Sequence, residues 1–233
     1  MIRGMLFKFI FYLGTVVVCL IFLPALILPK KIDIIGGKIL GYWIRFCLYF
    51  FLSVEIKIKG SENIPTNSPF FIASLHQSLS ETFFLQIVFN SPIFILKKEL
   101  LSIPIFGWYL KKIGSISINR NKVAKENLDF FENIVNSIKN SGRPVIIFPQ
   151  ATRVLPTDRT PFKKGAGRIY EELKIYCQPV AINSGFVWPK KGPKTFKKNI
   201  TVSILKPIDP GMNKDDFNKT VEKMIYSELD LIN

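Results

Sequence analysis

The chain has 233 residues, with 32 lysine or arginine against 17 aspartate or glutamate, so its net charge at neutral pH is +15. Hydrophobic residues make up 48% of it, charged residues 21%, and the mean hydropathy is +0.24. This composition excludes a disordered chain, and a nucleic-acid-binding role would explain the charge but not the hydrophobicity. A basic and apolar chain is typical of a protein at a membrane surface.

The first predicted element is an uncharged segment of 20 residues, Phe9–Leu28, which as a helix would be about 30 Å long, one bilayer core. Pro24 is expected to kink or end this helix. A second apolar stretch, Ile39–Val54, is shorter and contains Arg45, so it suits a helix at the membrane interface better than a span. No small-residue cleavage site follows the first segment, which predicts a retained anchor rather than a cleaved signal peptide.

These two segments predict membrane-anchoring helices in residues 1–53 and one folded domain in residues 54–233. The sequence leaves open whether the segments cross the bilayer or lie in one leaflet. Basic residues flank both ends of the first segment, so the distribution of charge gives it no firm orientation. The three cysteines form no paired framework, which favours a reduced domain. We therefore expect a domain on the cytoplasmic side of the cell inner membrane.

After residue 53, short apolar runs alternate with helical patterns. The expected strands are Val54–Lys59, Pro69–Ser74, Ile93–Leu96, Ile116–Ile118, Val145–Phe148, Pro179–Asn183 and Ile200–Leu205. The expected helices are Ser80–Phe89, Ile103–Lys111, Val123–Lys139, Gly165–Lys174 and Lys214–Leu229. This alternation predicts an α/β fold with a mixed, mostly parallel sheet flanked by helices, preceded by an N-terminal hydrophobic helical hairpin.

His76 is the only histidine, and it follows a predicted buried strand at a strand-to-helix junction, where α/β sheets bind ligands. Glu81 meets it only if His76 lies on the loop and Glu81 in the helix. The carboxylate would then fix the imidazole tautomer and leave the other nitrogen free as a base. The alternative is a polar residue that caps a helix. Neither Ser78 nor Ser80 lies in a GxSxG sequence, so the substrate is expected to bring its own hydroxyl for a one-step acyl transfer.

Basic residues follow several predicted strands at the same edge of the sheet. Arg120 and Arg153 are suited to bind a phosphate or carboxylate, because guanidinium binds such oxyanions bidentately. Thr152 would add a donor, and Lys97 and Lys98 also follow a strand. The alternative is that these residues are solvated strand ends in a basic protein. No metal-ligand spacing and no nucleotide-binding motif occurs in the sequence, so no metal or cofactor is expected.

Four sequence blocks occur in an order typical of one family. The blocks are His76-Gln77-Ser78-Leu79-Ser80-Glu81, Gly114 to Arg120, Phe148-Pro149-Gln150-Ala151-Thr152-Arg153 and Gln178 to Gly185. They resemble the His-x4-Asp, Gly-x5-Arg, Phe-Pro-Glu-Gly-Thr-Arg and Val/Ile-Pro-Val motifs of the 1-acyl-glycerol-3-phosphate acyltransferase family. The resemblance covers about residues 54–208.

The resemblance implies that His76 takes the proton from the free hydroxyl of a lysophosphatidate while Glu81 orients the imidazole. The alkoxide would attack the thioester of acyl-CoA or acyl-carrier protein, giving phosphatidate for phospholipid synthesis. It also implies membrane lipids as partners. The residues implied to bind the acceptor are Lys98, Arg120, Thr152 and Arg153.

Three residues depart from the family motifs. Glu81 replaces Asp, and Gln150 replaces a Glu and so removes a charge. Ala151 replaces a Gly and would be strained if its φ is positive. Two alternatives stay open on these grounds, namely an acyltransferase for another lysolipid acceptor and a non-catalytic lipid-binding membrane protein.

Overall fold

A computed structural model describes residues 2–118, 128–192 and 194–233. The helices in these ranges are α1 (Ile2–Ile21), α2 (Lys30–Leu52), α3 (Glu81–Val88), α4 (Phe106–Lys112), α5 (Leu128–Ser141), α6 (Gly165–Leu173) and α7 (Lys214–Ile232). The strands are β1 (Ile56–Lys59), β2 (Phe70–Ser74), β3 (Ile93–Lys97), β4 (Ile116–Ile118), β5 (Val145–Ile147), β6 (Tyr176–Ile182) and β7 (Ile200–Ile204). The predicted strands and helices are thus present with their described ends shifted by up to three residues. Residues 119–127, which include the predicted helix start at Val123, lie outside the described ranges.

The strands form one seven-stranded sheet in the order β1-β7-β6-β2-β5-β3-β4. Strands β6, β2, β5, β3 and β4 are parallel to their neighbours, whereas β7 is antiparallel to β6 and pairs with β1 in parallel. The carboxyl ends of five strands therefore meet at one edge of the sheet. This confirms the predicted mixed, mostly parallel sheet, and it places the segments after β2, β3 and β5 side by side.

Both faces of the sheet are covered by helices. On β2, Phe71 and Ala73 belong to the core under α5, α6 and α7, while Ile72 belongs to the core under α1, α2 and α3. Successive side chains of a strand point to opposite faces, so a buried parallel strand is apolar on both. The fold has three layers, and the N-terminal hairpin supplies part of one of them.

Both hairpin helices begin earlier than predicted, and α1 begins at Ile2 rather than at Phe9. Helix α1 ends at Ile21, and a short 3₁₀ helix with Pro24 follows it, as the proline predicted. Helix α2 starts at Lys30, nine residues before the apolar stretch that predicted it, because its first turns are amphipathic and bury only one side. By length and composition alone, α1 and α2 are each long enough and apolar enough to cross a membrane.

The hairpin is attached to the rest of the protein near its turn as well as along its length. The Tyr109 hydroxyl donates to the Cys19 carbonyl (2.8 Å), and Lys112 Nζ lies 2.9 Å from Oδ2 of the buried Asp33. Phe7 and Phe11 of α1 pack edge-on against Trp188. The hairpin therefore shares one apolar core with the sheet, and a domain boundary after residue 53 stays a prediction.

Candidate active site

His76 and Glu81 are in direct contact where β2 leads into α3. His76 lies on the loop and Glu81 is the first residue of the helix, the only arrangement in which the two side chains were expected to meet. His76 Nδ1 is 2.9 Å from Glu81 Oε1. Because an ionised carboxylate only accepts hydrogen bonds, Nδ1 carries the hydrogen and Nε2 is the basic nitrogen.

Glu81 is fully buried, and four donors surround its carboxylate. Oε1 accepts from the backbone N–H groups of Gln77 (2.6 Å) and Ser78 (2.8 Å) in addition to His76. Oε2 accepts from the hydroxyl of Ser184 (2.6 Å), which follows β6. These bonds compensate the buried charge and fix the carboxylate in position. Ser184 lies in the fourth sequence block, but its bond to a residue 103 positions away was not predicted.

The His76 ring is held on one side and open on another. It stacks on Phe148 with the ring centroids 4.2 Å apart and the planes 18° from parallel. Its side chain is 19% exposed, and Nε2 has no hydrogen-bond partner among the residues that the structure describes. A substrate hydroxyl at this edge of the sheet can therefore reach Nε2 while Glu81 holds the opposite nitrogen.

Gln150 lies inside the protein, behind the histidine. Its Oε1 accepts from the backbone N–H of His76 (2.8 Å), and its Nε2 donates to the Tyr226 hydroxyl (3.1 Å). That hydroxyl in turn donates to the Thr160 carbonyl (2.6 Å). The chain of bonds needs one donor and one acceptor on residue 150, which an amide offers and a carboxylate does not. Gln150 thus accepts from the His76 backbone through its oxygen, as a glutamate could, and its amide nitrogen supplies the bond to Tyr226.

Ala151 has a φ of +59°, a positive value of the kind at which an alanine in place of the family's glycine is expected to be strained. An alanine in this left-handed region costs about 1–2 kcal/mol relative to its ordinary conformations. The turn is nevertheless closed by the Ala151 N–H, which donates to the Phe148 carbonyl (2.9 Å). Ala151 is therefore strained, but it still adopts the backbone turn of the motif.

Three of the four predicted substrate-binding residues, Lys98, Thr152 and Arg153, follow strands at this same edge of the sheet. Val154 N–H donates to the His76 carbonyl (3.0 Å), so Arg153 is next to the His76 loop. Thr152 is exposed, and its Oγ1 accepts from Lys190 Nζ (3.2 Å). Lys98 is exposed at the end of β3, beside β5, but no contact joins it to the other predicted residues in the described ranges. Arg120 lies outside the described residues.

Within residues 2–118, 128–192 and 194–233, no group of histidine, cysteine and acidic side chains is arranged to hold a metal ion. The site described here consists instead of a histidine–carboxylate pair beside a basic loop. This is the pairing that the sequence blocks predicted.

Comparisons with known proteins agree with the geometry. The acyltransferase family model matches residues 55–183, more than half of the chain. The chain is 30% identical to the 1-acyl-sn-glycerol-3-phosphate acyltransferase of Saccharomyces cerevisiae, over 93% of this chain and 76% of that protein. It is 33% identical to the enzyme of that name from Pseudomonas aeruginosa, over 70% of this chain and 63% of that protein.

Its fold is also similar to a crystal structure, that of the 1-acyl-sn-glycerophosphate (LPA) acyltransferase PlsC from Thermotoga maritima. The TM-score is 0.79 at 24% identity, and the match covers 98% of this chain and 95% of that one. The predicted family resemblance and the predicted fold are thereby confirmed. On its sequence, the chain belongs to the acyltransferase family.

Proposed function

We propose that this protein transfers a fatty acyl group from an acyl thioester to the free hydroxyl of 1-acyl-glycerol-3-phosphate, giving phosphatidate. The observation that carries the proposal is the His76–Glu81 pair, with the other imidazole nitrogen unpartnered among the described residues and Arg153 next to the His76 loop. The names of the relatives from yeast and Pseudomonas aeruginosa support this acceptor.

The proposed reaction is a single displacement at the thioester carbonyl. His76 Nε2 takes the proton from the acceptor hydroxyl, whose oxygen forms a bond to the carbonyl carbon. The bond from that carbon to sulfur then breaks, and the protonated imidazole returns its proton to the leaving thiolate. Glu81 stabilises the imidazolium between these two proton transfers. The step needs no protein nucleophile and no cofactor, and either acyl-CoA or acyl-carrier protein would serve as donor.

The acceptor assignment is tested with purified protein, labelled acyl-CoA and a panel of lysolipids. Because guanidinium and ammonium groups favour a phosphate over a neutral headgroup, we expect lysophosphatidate to be acylated at least about tenfold faster than monoacylglycerol. Faster acylation of another lysolipid would replace the acceptor but keep the chemistry. No acylation of any of them, by folded protein, would favour the non-catalytic alternative.

We further propose that the protein binds the cytoplasmic side of a membrane through the hairpin. The outer face of α1 exposes large apolar side chains at helical spacing, namely Met5, Phe9, Tyr12, Val16 and Leu20. The Lys112–Asp33 and Tyr109–Cys19 contacts hold the region of the hairpin turn against α4. Because these contacts keep the turn on the same side of the membrane as the α/β part, they support a hairpin that lies within one leaflet rather than one that spans the bilayer.

This orientation predicts where the hairpin turn is accessible. In sealed vesicles with the α/β part outside, a maleimide that does not cross membranes should label Lys31→Cys at the turn from the outside. It should do so about as completely as it labels the exposed control Thr157→Cys, both in a Cys19→Ser background. Labelling of Lys31→Cys only by reagent trapped inside would mean that the hairpin spans the bilayer.

A further inference from the structure

Four basic residues from three separate segments meet beside the His76 loop. We call Lys8, Arg153, Lys190 and Lys194 the Lys194 cluster. Lys8 belongs to α1, Arg153 follows β5, and Lys190 and Lys194 lie on the segment between β6 and β7. Of these, only Arg153 was singled out by its sequence motif.

Lys194 lies against the N-terminal helix. The Cβ and Cγ of Lys194 pack against Gly4, where an added methyl group would lie 3.7 Å from each of them. Lys194 Nζ lies 5.5 Å from the centre of the Trp188 ring. Lys8 is one helical turn beyond Gly4 on the same face of α1, so its side chain approaches the same region. Packing of the Lys194 stem against α1 and attraction of its ammonium group to the Trp188 ring therefore both fix its position.

The other two members connect this region to the active site. Lys190 Nζ donates to Thr152 Oγ1 (3.2 Å), which places the β6–β7 segment over the loop after β5. Arg153 is the next residue, and the following Val154 N–H bonds to the His76 carbonyl (3.0 Å). The cluster is thus adjacent to the residue proposed as the base.

No acidic residue balances this charge nearby in the sequence. Residues 173–208 contain seven lysines and neither aspartate nor glutamate. Within the described part of the chain, no member of the cluster forms an ion pair. Burial, together with the charges of Lys8 and Arg153, lowers the pKa of Lys194 to about 8. Like charges held together without a counter-charge are unfavourable unless an anion joins them.

We propose that Lys8, Lys190 and Lys194 extend the region around Arg153 into a binding site for a substrate phosphate group. The proposal rests on the proposed acyltransferase function, in which both substrates carry phosphate. The phosphate would come from the acceptor or from the nucleotide part of the donor. Because Lys8 belongs to the hairpin, the site is complete only when α1 is packed against Trp188.

The direct test is equilibrium binding of two soluble probes, glycerol 3-phosphate for the acceptor and coenzyme A for the donor. Lys194→Met keeps the length and packing of the side chain but removes its charge, and Lys194→Arg keeps the charge. We expect Lys194→Met to weaken one probe about tenfold, the loss of one charge-assisted hydrogen bond, and Lys194→Arg to restore it. The matched control is Lys219→Met, which removes one charge from an exposed position on α7.

The probe that is weakened identifies the source of the phosphate, and the KM of the corresponding substrate should rise by the same factor while kcat changes little. Unchanged binding of both probes by folded Lys194→Met would overturn the site. Failure to acylate lysophosphatidate would instead remove the proposed function, since binding of the probes is measured without turnover.

The pH dependence gives a second readout. The groups that face Lys194 are Lys8 from α1 and Arg153 from the loop after β5, both cationic, together with the Trp188 ring. Lys194 is protonated below a pH of about 8 and neutral above it, so binding of the affected probe should weaken as pH rises through about 8. In Lys194→Arg this weakening should disappear, because arginine stays protonated. Equal pH profiles of the wild type and Lys194→Arg would contradict the assignment.

Discussion

Replacing His76 with alanine is expected to lower kcat by about two to four orders of magnitude, the contribution of a well-placed general base. The effect should fall on kcat rather than on the KM of either substrate, since the imidazole acts on the hydroxyl proton and not on the phosphate. The measurement is acyl transfer by purified protein reconstituted in lipid vesicles, with labelled acyl-CoA and lysophosphatidate.

The control for this variant is its fold and membrane binding. The side chain of His76 contacts Phe148 and Glu81, so its removal leaves Glu81 with three of its four donors. Thermal unfolding and vesicle association should therefore stay close to those of the wild type. His76 is the only histidine, so no other imidazole can replace it as base. Turnover within about tenfold of the wild type would refute the base assignment.

Glu81→Gln should reduce kcat by about 10³-fold while the local geometry is largely kept. The amide oxygen can take the place of Oε1 and accept from Gln77, Ser78 and His76. The amide nitrogen can then donate to Ser184 Oγ, which reverses the direction of that one bond. What the variant removes is the negative charge that stabilises the imidazolium during the reaction.

Two further variants distinguish the effect of the charge of the Glu81 carboxylate from the effect of its position. Glu81→Asp keeps the charge and matches the family's usual residue, so it should recover most of the activity lost in Glu81→Gln. Ser184→Ala removes one donor from the carboxylate, and we expect a decrease of about tenfold or less. The measurement is kcat against pH for each variant. Glu81→Gln activity within threefold of the wild type would mean that the carboxylate has only a structural role.

The sequence predicted the sheet and the helices because their signals are local. The apolar run of β2 and the short run of β4 lie on strands that the structure has with nearly the same ends. Pro24 marks the end of α1 because a proline cannot continue the hydrogen-bonding of a helix. Helix α2 was predicted too short, since an apolar run does not reveal turns that bury one side only.

The contacts at the site were only partly predictable from the sequence, because several of them join residues far apart in the chain. The His76–Glu81 pair follows from the order of strand, loop and helix. The sequence predicts strain at Ala151 only on the condition of a positive φ, and the structure meets that condition. By contrast, nothing local to Ser184 indicates that its hydroxyl binds Glu81, and nothing local to Gln150 indicates a bond to Tyr226. These pairs come together only because β6 lies beside β2 and α7 covers the sheet.

By itself, the sequence determined the α/β fold, the apolar hairpin, the candidate base and the family, because each depends on residues close together in the chain. Only the tertiary structure decided what surrounds the base. It packs the hairpin against Trp188 and α4, and it brings Lys8, which is more than 100 residues away in the chain, and Lys194 towards Arg153. The physical reason is that such contacts follow from the packing of whole layers, which no single segment encodes.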